Sequence, residues 1–276
     1  MDKRAYWLTG VFATLFLACT ALNAGAAAPL YNFPGASFLP GAGAPMDLAA
    51  AVSDYNPSIS GSANQLVQFT NGGLWVFNTV TQTQVGTAID QWPFWCNGTG
   101  LTSCDPNMVN QPYDPQISYH ASKGRWIVAA LSNDANGNKG AYLYLGASLG
   151  PDPTGKYYVY ELSACTAYTG LVGDNPIMGI SSGTSGRVVV DLACGPPGGS
   201  DQHDEVFDID INSLEGGNAV LSSCNGGNCQ IFPNMPIHLR PTNNLGQYSE
   251  VLLSQPTLDA QNHAGFSRLR KKPVAQ

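Results

Sequence analysis

The sequence predicts an all-β chain assembled from repeated four-stranded units, on three observations. Short runs of β-branched and aromatic residues recur along it, clusters of Gly, Asn, Asp, Ser and Pro separate them, and Pro-led segments return at offsets near sixty residues. With 31 Gly and 19 Pro in 276 residues but no Gly-x-y period, the turn-formers are above average usage and wrongly spaced for collagen, and no persistent helical period appears outside the first segment. Charged residues make up 11% and hydrophobic residues 43%, the reverse of the balance that keeps chains disordered.

The first segment, 1–28, reads as an export signal. Lys3 and Arg4 precede an apolar stretch from Val11 to Cys19, and small residues follow at Ala24, Gly25 and Ala26. The stretch is short of the ~20 residues that span a bilayer, so no membrane span is expected once the signal is cleaved. The remaining residues, 29–276, form one domain in this reading. Removing Asp2, Lys3 and Arg4 from 12 basic and 19 acidic residues leaves 10 and 18, a net charge of −8. No basic residue falls between Ala5 and Ser122, so the chain lacks the positive face that nucleic acid requires.

Six cysteines follow the signal: Cys96, Cys104, Cys165, Cys194, Cys224 and Cys229. An even set behind an export signal reads as disulfides in a secreted or periplasmic protein, with sequential pairing preferred: Cys96–Cys104, Cys165–Cys194 and Cys224–Cys229. Zinc would need a second close pair beside Cys224 and Cys229.

Taken in order, the predicted strands are Leu66 to Phe69, Leu74 to Phe77, Arg125 to Leu131, Ala141 to Leu145, Tyr157 to Leu162, Arg187 to Leu192, Glu205 to Ile211 and Tyr248 to Leu253. Asn71–Gly73 and Asn133–Gly140 supply residues that tolerate positive φ between such runs, which predicts antiparallel hairpins. In Glu205 to Ile211, Phe207, Ile209 and Ile211 share one side and Asp208 and Asp210 the other. Pro115, Pro176 and Pro236 each open a Pro, strand, turn, strand pattern at offsets of 61 and 60, and Pro57 opens a weaker copy 58 residues before Pro115. With a further short strand at Ile117 to Tyr119, four strands between Pro115 and Pro176 describe a propeller blade, and the exported length accommodates about four of them as a closed or partial β-propeller-like array. A β-sandwich of Pro-initiated strands is the alternative.

The segments NQLVQFTNGGLWVFN (64–78), YDPQISYHASKGRWIVAAL (113–131), LGASLGPDPTGKYYVYEL (145–162) and DNPIMGI (174–180) resemble a family of secreted bacterial β-propeller proteins, most of them uncharacterised. The resemblance implies inner strands, an Asp-Pro blade start, a Gly-Arg-Trp turn and an Asp-Pro-Thr-Gly turn at these positions. The chain is shorter than typical members, which implies a small closed propeller or a partial one whose open edge self-associates.

Candidate sites follow from residue type. Asp114 and Asp174, each near a blade start, are the candidate acid–base pair at a channel, or equally turn residues bonding their own backbone. Trp92, Phe94 and Trp95 offer aromatic faces for stacking on sugars or a partner if exposed, and core if turned inward. Asp201, Asp204 and Glu205 are the candidate calcium ligands, against a solvated loop entering a strand, and no other cofactor is called for. Asp134, Asn136 and Asn138 match only the opening of a calcium loop, since Lys139 stands where its Gly belongs. No Gly-x-Ser-x-Gly or HExxH is present, and nothing in the sequence points to a Ser-His-Asp site, whose partners need not be sequential. The expectation is an exported non-catalytic module that binds a protein or glycan, with a carbohydrate hydrolase or lyase as the alternative.

Overall fold

The structure is a computed structural model. It describes residues 48–96, 112–133, 141–166, 170–183, 185–218, 221, 224, 227–236, 239–243, 253–258 and 264–267. The expected export signal, Cys104, the hairpin tip with Asp134, Asn136 and Asn138, and most of the strand expected at Tyr248 to Leu253 lie outside the described residues.

Among the described residues four antiparallel sheets follow one another along the chain, each a meander of consecutive strands. The first holds β1 (Leu48–Ser53), β2 (Gln65–Thr70), β3 (Gly73–Asn78) and β4 (Thr83–Gln84). A six-residue helix, α1 (Gln91–Cys96), leads to the second: β5 (Tyr113–His120), β6 (Arg125–Asn133), β7 (Ala141–Ser148) and β8 (Tyr157–Ala164). The third contains β9 (Val172–Ile180), β10 (Arg187–Gly195), β11 (His203–Asp210) and, after helix α2 (Ile211–Glu215), β12 (Cys229–Met235). The fourth has β13 (Arg240–Pro241), β14 (Leu253–Leu258) and β15 (Ala264–Ser267). Among the described residues no sheet closes on itself.

Strand period explains why the central runs are apolar throughout. In β6, Trp126, Val128 and Ala130 join a core with Val67, Phe69, Leu74 and Val76 of the first sheet. The alternate residues Ile127, Ala129 and Leu131 join a second core with Ile180, Val188, Val190 and Phe207 of the third. The second sheet is thus buried on both faces, which a strand can satisfy only by dropping polar alternation. The other face of the third sheet packs Val189 and Val206 on Leu239, just ahead of β13. A single two-layer sandwich, the alternative expected above, does not describe this face-to-face succession.

First strands meet first strands: β1 packs on β5, β5 on β9, and β9 on β13. Polar ties reinforce the order. The Tyr113 hydroxyl donates to the Gly173 carbonyl at 2.7 Å, and Asn243 Oδ1 accepts from the Ile180 N–H at 3.0 Å and from Ser118 Oγ at 3.4 Å. Gly179 permits the close approach of the fourth sheet, because a Cβ there would stand 2.8 Å from the Thr242 carbonyl oxygen.

Turn chemistry matches the sequence at several points. Asn71 and Gly72 turn β2 into β3, with Thr70 opposite Gly73. Asp152 Oδ1 accepts from the Thr154 N–H and hydroxyl at 2.8 and 2.7 Å, making the Asp-Pro-Thr-Gly segment a side-chain-closed turn. Pro115 and Pro176 both lie inside first strands, each preceded by a left-handed residue, Asp114 at φ 51° and Asn175 at φ 48°. Pro57 does not correspond to them. It lies in the loop after β1, so the weakest sequence copy is displaced by one strand.

Among the described residues two disulfides are present. Cys165–Cys194 joins the end of β8 to β10 across two sheets, and Cys224–Cys229 closes the approach to β12. The third expected pair cannot be placed, since Cys104 is outside the described residues.

Candidate functional site

The aromatic segment is largely core. Trp95 is fully buried and Phe94 nearly so, while Trp92 is half-buried. Phe94 meets Phe69, Trp95 and Tyr157 with ring centroids 5.0, 5.1 and 4.9 Å away, all edge-on, and Trp95 lies 5.5 Å from Tyr144. The indole N–H donates to Gln91 Oε1 at 3.1 Å, and Gln91 in turn reaches the Thr70 carbonyl at 2.9 Å. The exposed stacking platform is therefore corrected for Phe94 and Trp95. Their helix wedges between the first two sheets, where aromatic area is worth more out of water than in it.

Asp114 and Asp174 play different parts. Asp114 is buried at the start of β5, where its N–H donates to Asn71 Oδ1 at 2.6 Å and its carboxylate accepts from Asn71 Nδ2 at 3.3 Å. Asp174 is exposed and accepts from the N–H of Asn175 at 2.9 Å. By backbone conformation Asp114 corresponds to Asn175, not to Asp174. The turn reading fits Asp174; Asp114 instead bonds the Asn71 side chain from within β5.

The acidic run divides because neighbours in a strand face opposite sides. Asp201 stays half-buried before β11, whereas Asp204 and Glu205 are fully buried within it. The Glu205 carboxylate accepts from the Cys165 N–H and from Thr166 Oγ1, pinning the chain beside the Cys165–Cys194 bridge. Burial pushes its carboxyl up, opposed by those hydrogen bonds. Asp204 turns to the other face and accepts from the Leu239 N–H at 2.9 Å. The convergent calcium loop is thus corrected for Asp204 and Glu205. Cys165, Cys194 and Glu205 lie close enough to suggest a metal set, but sulfurs bonded to each other are not thiolate ligands.

Asp191, unremarked in the sequence, lies on β10 with Val206 opposite it and Asp204 diagonally adjacent. Burial, then the charge of Asp204 and a side-chain hydrogen bond with it, push the Asp191 carboxyl up to about 9, against the pull of Arg240. Two carboxyl groups in this setting favour one shared proton.

A second cluster joins the second sheet to the third. His120, at the end of β5, places Nδ1 2.6 Å from Glu215 Oε1 at the end of α2, and its Nε2 lies 2.9 Å from the Ser122 hydroxyl. His120 is 2% exposed and the Glu215 side chain 7%, while Ser122 is exposed on the β5–β6 turn. Asp210 makes α2 possible by accepting from the Ser213 N–H at 2.7 Å as its N-cap. An Asp before an apolar residue was the local signal for that cap; the sequence reading ran the strand through it.

Gln202 and His203 border an open cavity of about 520 Å³ with Asn234, Met235 and Pro236. No helix among the described residues is long and apolar enough to cross a membrane. No protein-family model and no curated protein matches the chain.

Proposed function

We propose that the protein is an exported recognition module, a propeller-like array of about four blades, that binds a glycan or a protein surface in the groove at the start of β11 and the end of β12. The observation that carries this reading is the groove itself. Gln202 and Asn234 present exposed amides beside His203, and Met235 and Pro236 supply an apolar wall. Amide and imidazole groups bond hydroxyls in several directions while the wall receives the C–H face of a sugar ring. The successive packing of β1, β5, β9 and β13 supports the blade-like arrangement that would present such a groove at a sheet edge. Export fits the two disulfides, which persist in oxidising compartments.

Residues 29–276 applied to a glycan array and used in pull-down supply the test. Binding that falls at least tenfold in Gln202→Ala with Asn234→Ala supports the reading, and blank results from both assays at high concentration overturn it. The hydrolase reading loses its original residues, since Asp114 is tied to Asn71 and Asp174 to its own turn.

A further inference from the structure

We propose that Ser122 is a nucleophile activated by His120 and oriented through Glu215, forming an acyl-transfer site that accepts small acyl esters. The site is independent of the recognition groove.

The geometry is that of a nucleophile, a base and an orienting carboxylate in series. Both links, 2.9 Å from Ser122 Oγ to His120 Nε2 and 2.6 Å from His120 Nδ1 to Glu215 Oε1, fall within hydrogen-bond reach. A carboxylate only accepts, so Glu215 fixes the proton on Nδ1 and leaves the Nε2 lone pair to receive the Ser122 hydroxyl proton. Burial follows the same order. The base and carboxylate are shielded while Ser122 is an exposed residue, as required of a side chain that meets an external carbonyl.

Glu215 is firmly placed. Gly216 N–H closes the helix on the Asn212 carbonyl at 2.9 Å, and Gly217, at φ 71°, lies so close to the Tyr158 ring that a Cβ would come within 2.6 Å of it. The turn bearing Ser122 is placed as well: the Lys123 N–H donates to the His120 carbonyl at 3.1 Å, and Ile59 packs against Gly124. An interlock between sheets needs only the His120–Glu215 pair. The second ring nitrogen of His120 meets the hydroxyl of Ser122, a residue on an exposed turn where an external carbonyl can approach.

In the first step the Ser122 oxygen bonds the ester carbonyl carbon as its proton passes to Nε2. Collapse breaks the bond to the leaving alcohol, which takes the proton from Nε2. Water then repeats the sequence, releasing the acid and restoring the hydroxyl. An open turn places few demands on the acyl group, which is why small esters are the expected class.

A fluorophosphonate reagent on the folded chain, followed by peptide mass spectrometry, provides the test. Ser122 should be phosphonylated with loss of fluoride at least tenfold faster than the exposed Ser58. His120→Gln should slow labelling at least tenfold and Glu215→Gln less, with circular dichroism unchanged. Ser122→Ala retains the His–Glu pair, so it should fold normally and lose p-nitrophenyl acetate turnover. Labelling of Ser122 no faster than Ser58 in the wild-type chain, or equal labelling in a folded His120→Gln variant, overturns the proposal.

Discussion

Asn71 and Asp114 hold each other in both directions: the backbone N–H of Asp114 donates to Asn71 Oδ1 at 2.6 Å, and Asn71 Nδ2 returns a bond to the Asp114 carboxylate at 3.3 Å. The pair ties the first hairpin turn to the opening of the second sheet, 43 residues on. It also supports Asp114 in a left-handed conformation at φ 51° that a side chain adopts only at a cost. Asn71→Ala removes the acceptor from a buried N–H and should destabilise the protein by about 1–3 kcal/mol. Urea unfolding checks this, and a shift smaller than a few tenths of a kcal/mol would show that the tie contributes little.

Trp95 gives a second prediction. Trp95→Ala should cost about 3–5 kcal/mol, because its indole fills the space between two sheets that cannot fully collapse. Glycan or protein binding by whatever remains folded should be unchanged. Lost binding with stability retained would restore the aromatic segment as a recognition surface.

The Cys165–Cys194 bridge spans a sequence separation of 29 and joins two sheets. Replacing both cysteines by Ser should cost about 2–4 kcal/mol, with the model-dependent share that arises from the unfolded chain included. Thermal melts with and without reductant measure it: wild type should lose more on reduction than the double variant, whose remaining response comes from Cys224–Cys229.

Asp191 contributes a pH-dependent share of the stability. Its carboxyl is raised from 3.8 to about 9, so between those values the folded chain binds a proton that the unfolded chain releases. Its stabilising share is fully present below 3.8 and is lost as pH rises through about 9, with a slope of at most ~1.4 kcal/mol per pH unit for one proton. The ionisable groups around it are Asp204 and Arg240. Asp191→Asn cannot release that proton and should flatten stability between pH 5 and 9, as read from denaturation midpoints. An unchanged slope would show that Asp191 is already ionised there.

How much was legible depended on distance along the chain. All four strands expected between Pro115 and Pro176 form, as do the Asn71 turn and the Asp152 turn, because strand periodicity and turn closure act over a few residues. The fate of Trp95 was not legible. An aromatic residue on a Pro-containing segment has the same sequence signature whether it faces water or a neighbouring sheet.

By itself, then, the sequence determined the all-β class and its antiparallel hairpins, which follow from local pattern; it made sequential cysteine pairing the preferred choice, and the packed strands decided it for Cys165–Cys194 and Cys224–Cys229. Tertiary structure alone decided which polar residues meet. His120 and Ser122 lie two residues apart, but Glu215 reaches them across 95 positions only because α2 caps the third sheet beside the end of β5. Likewise Asp191 and Asp204 become neighbours through the register of β10 on β11, which sends Glu205 to the opposite face. A strand's period states that adjacent residues part; only the packed sheets say what each one finds.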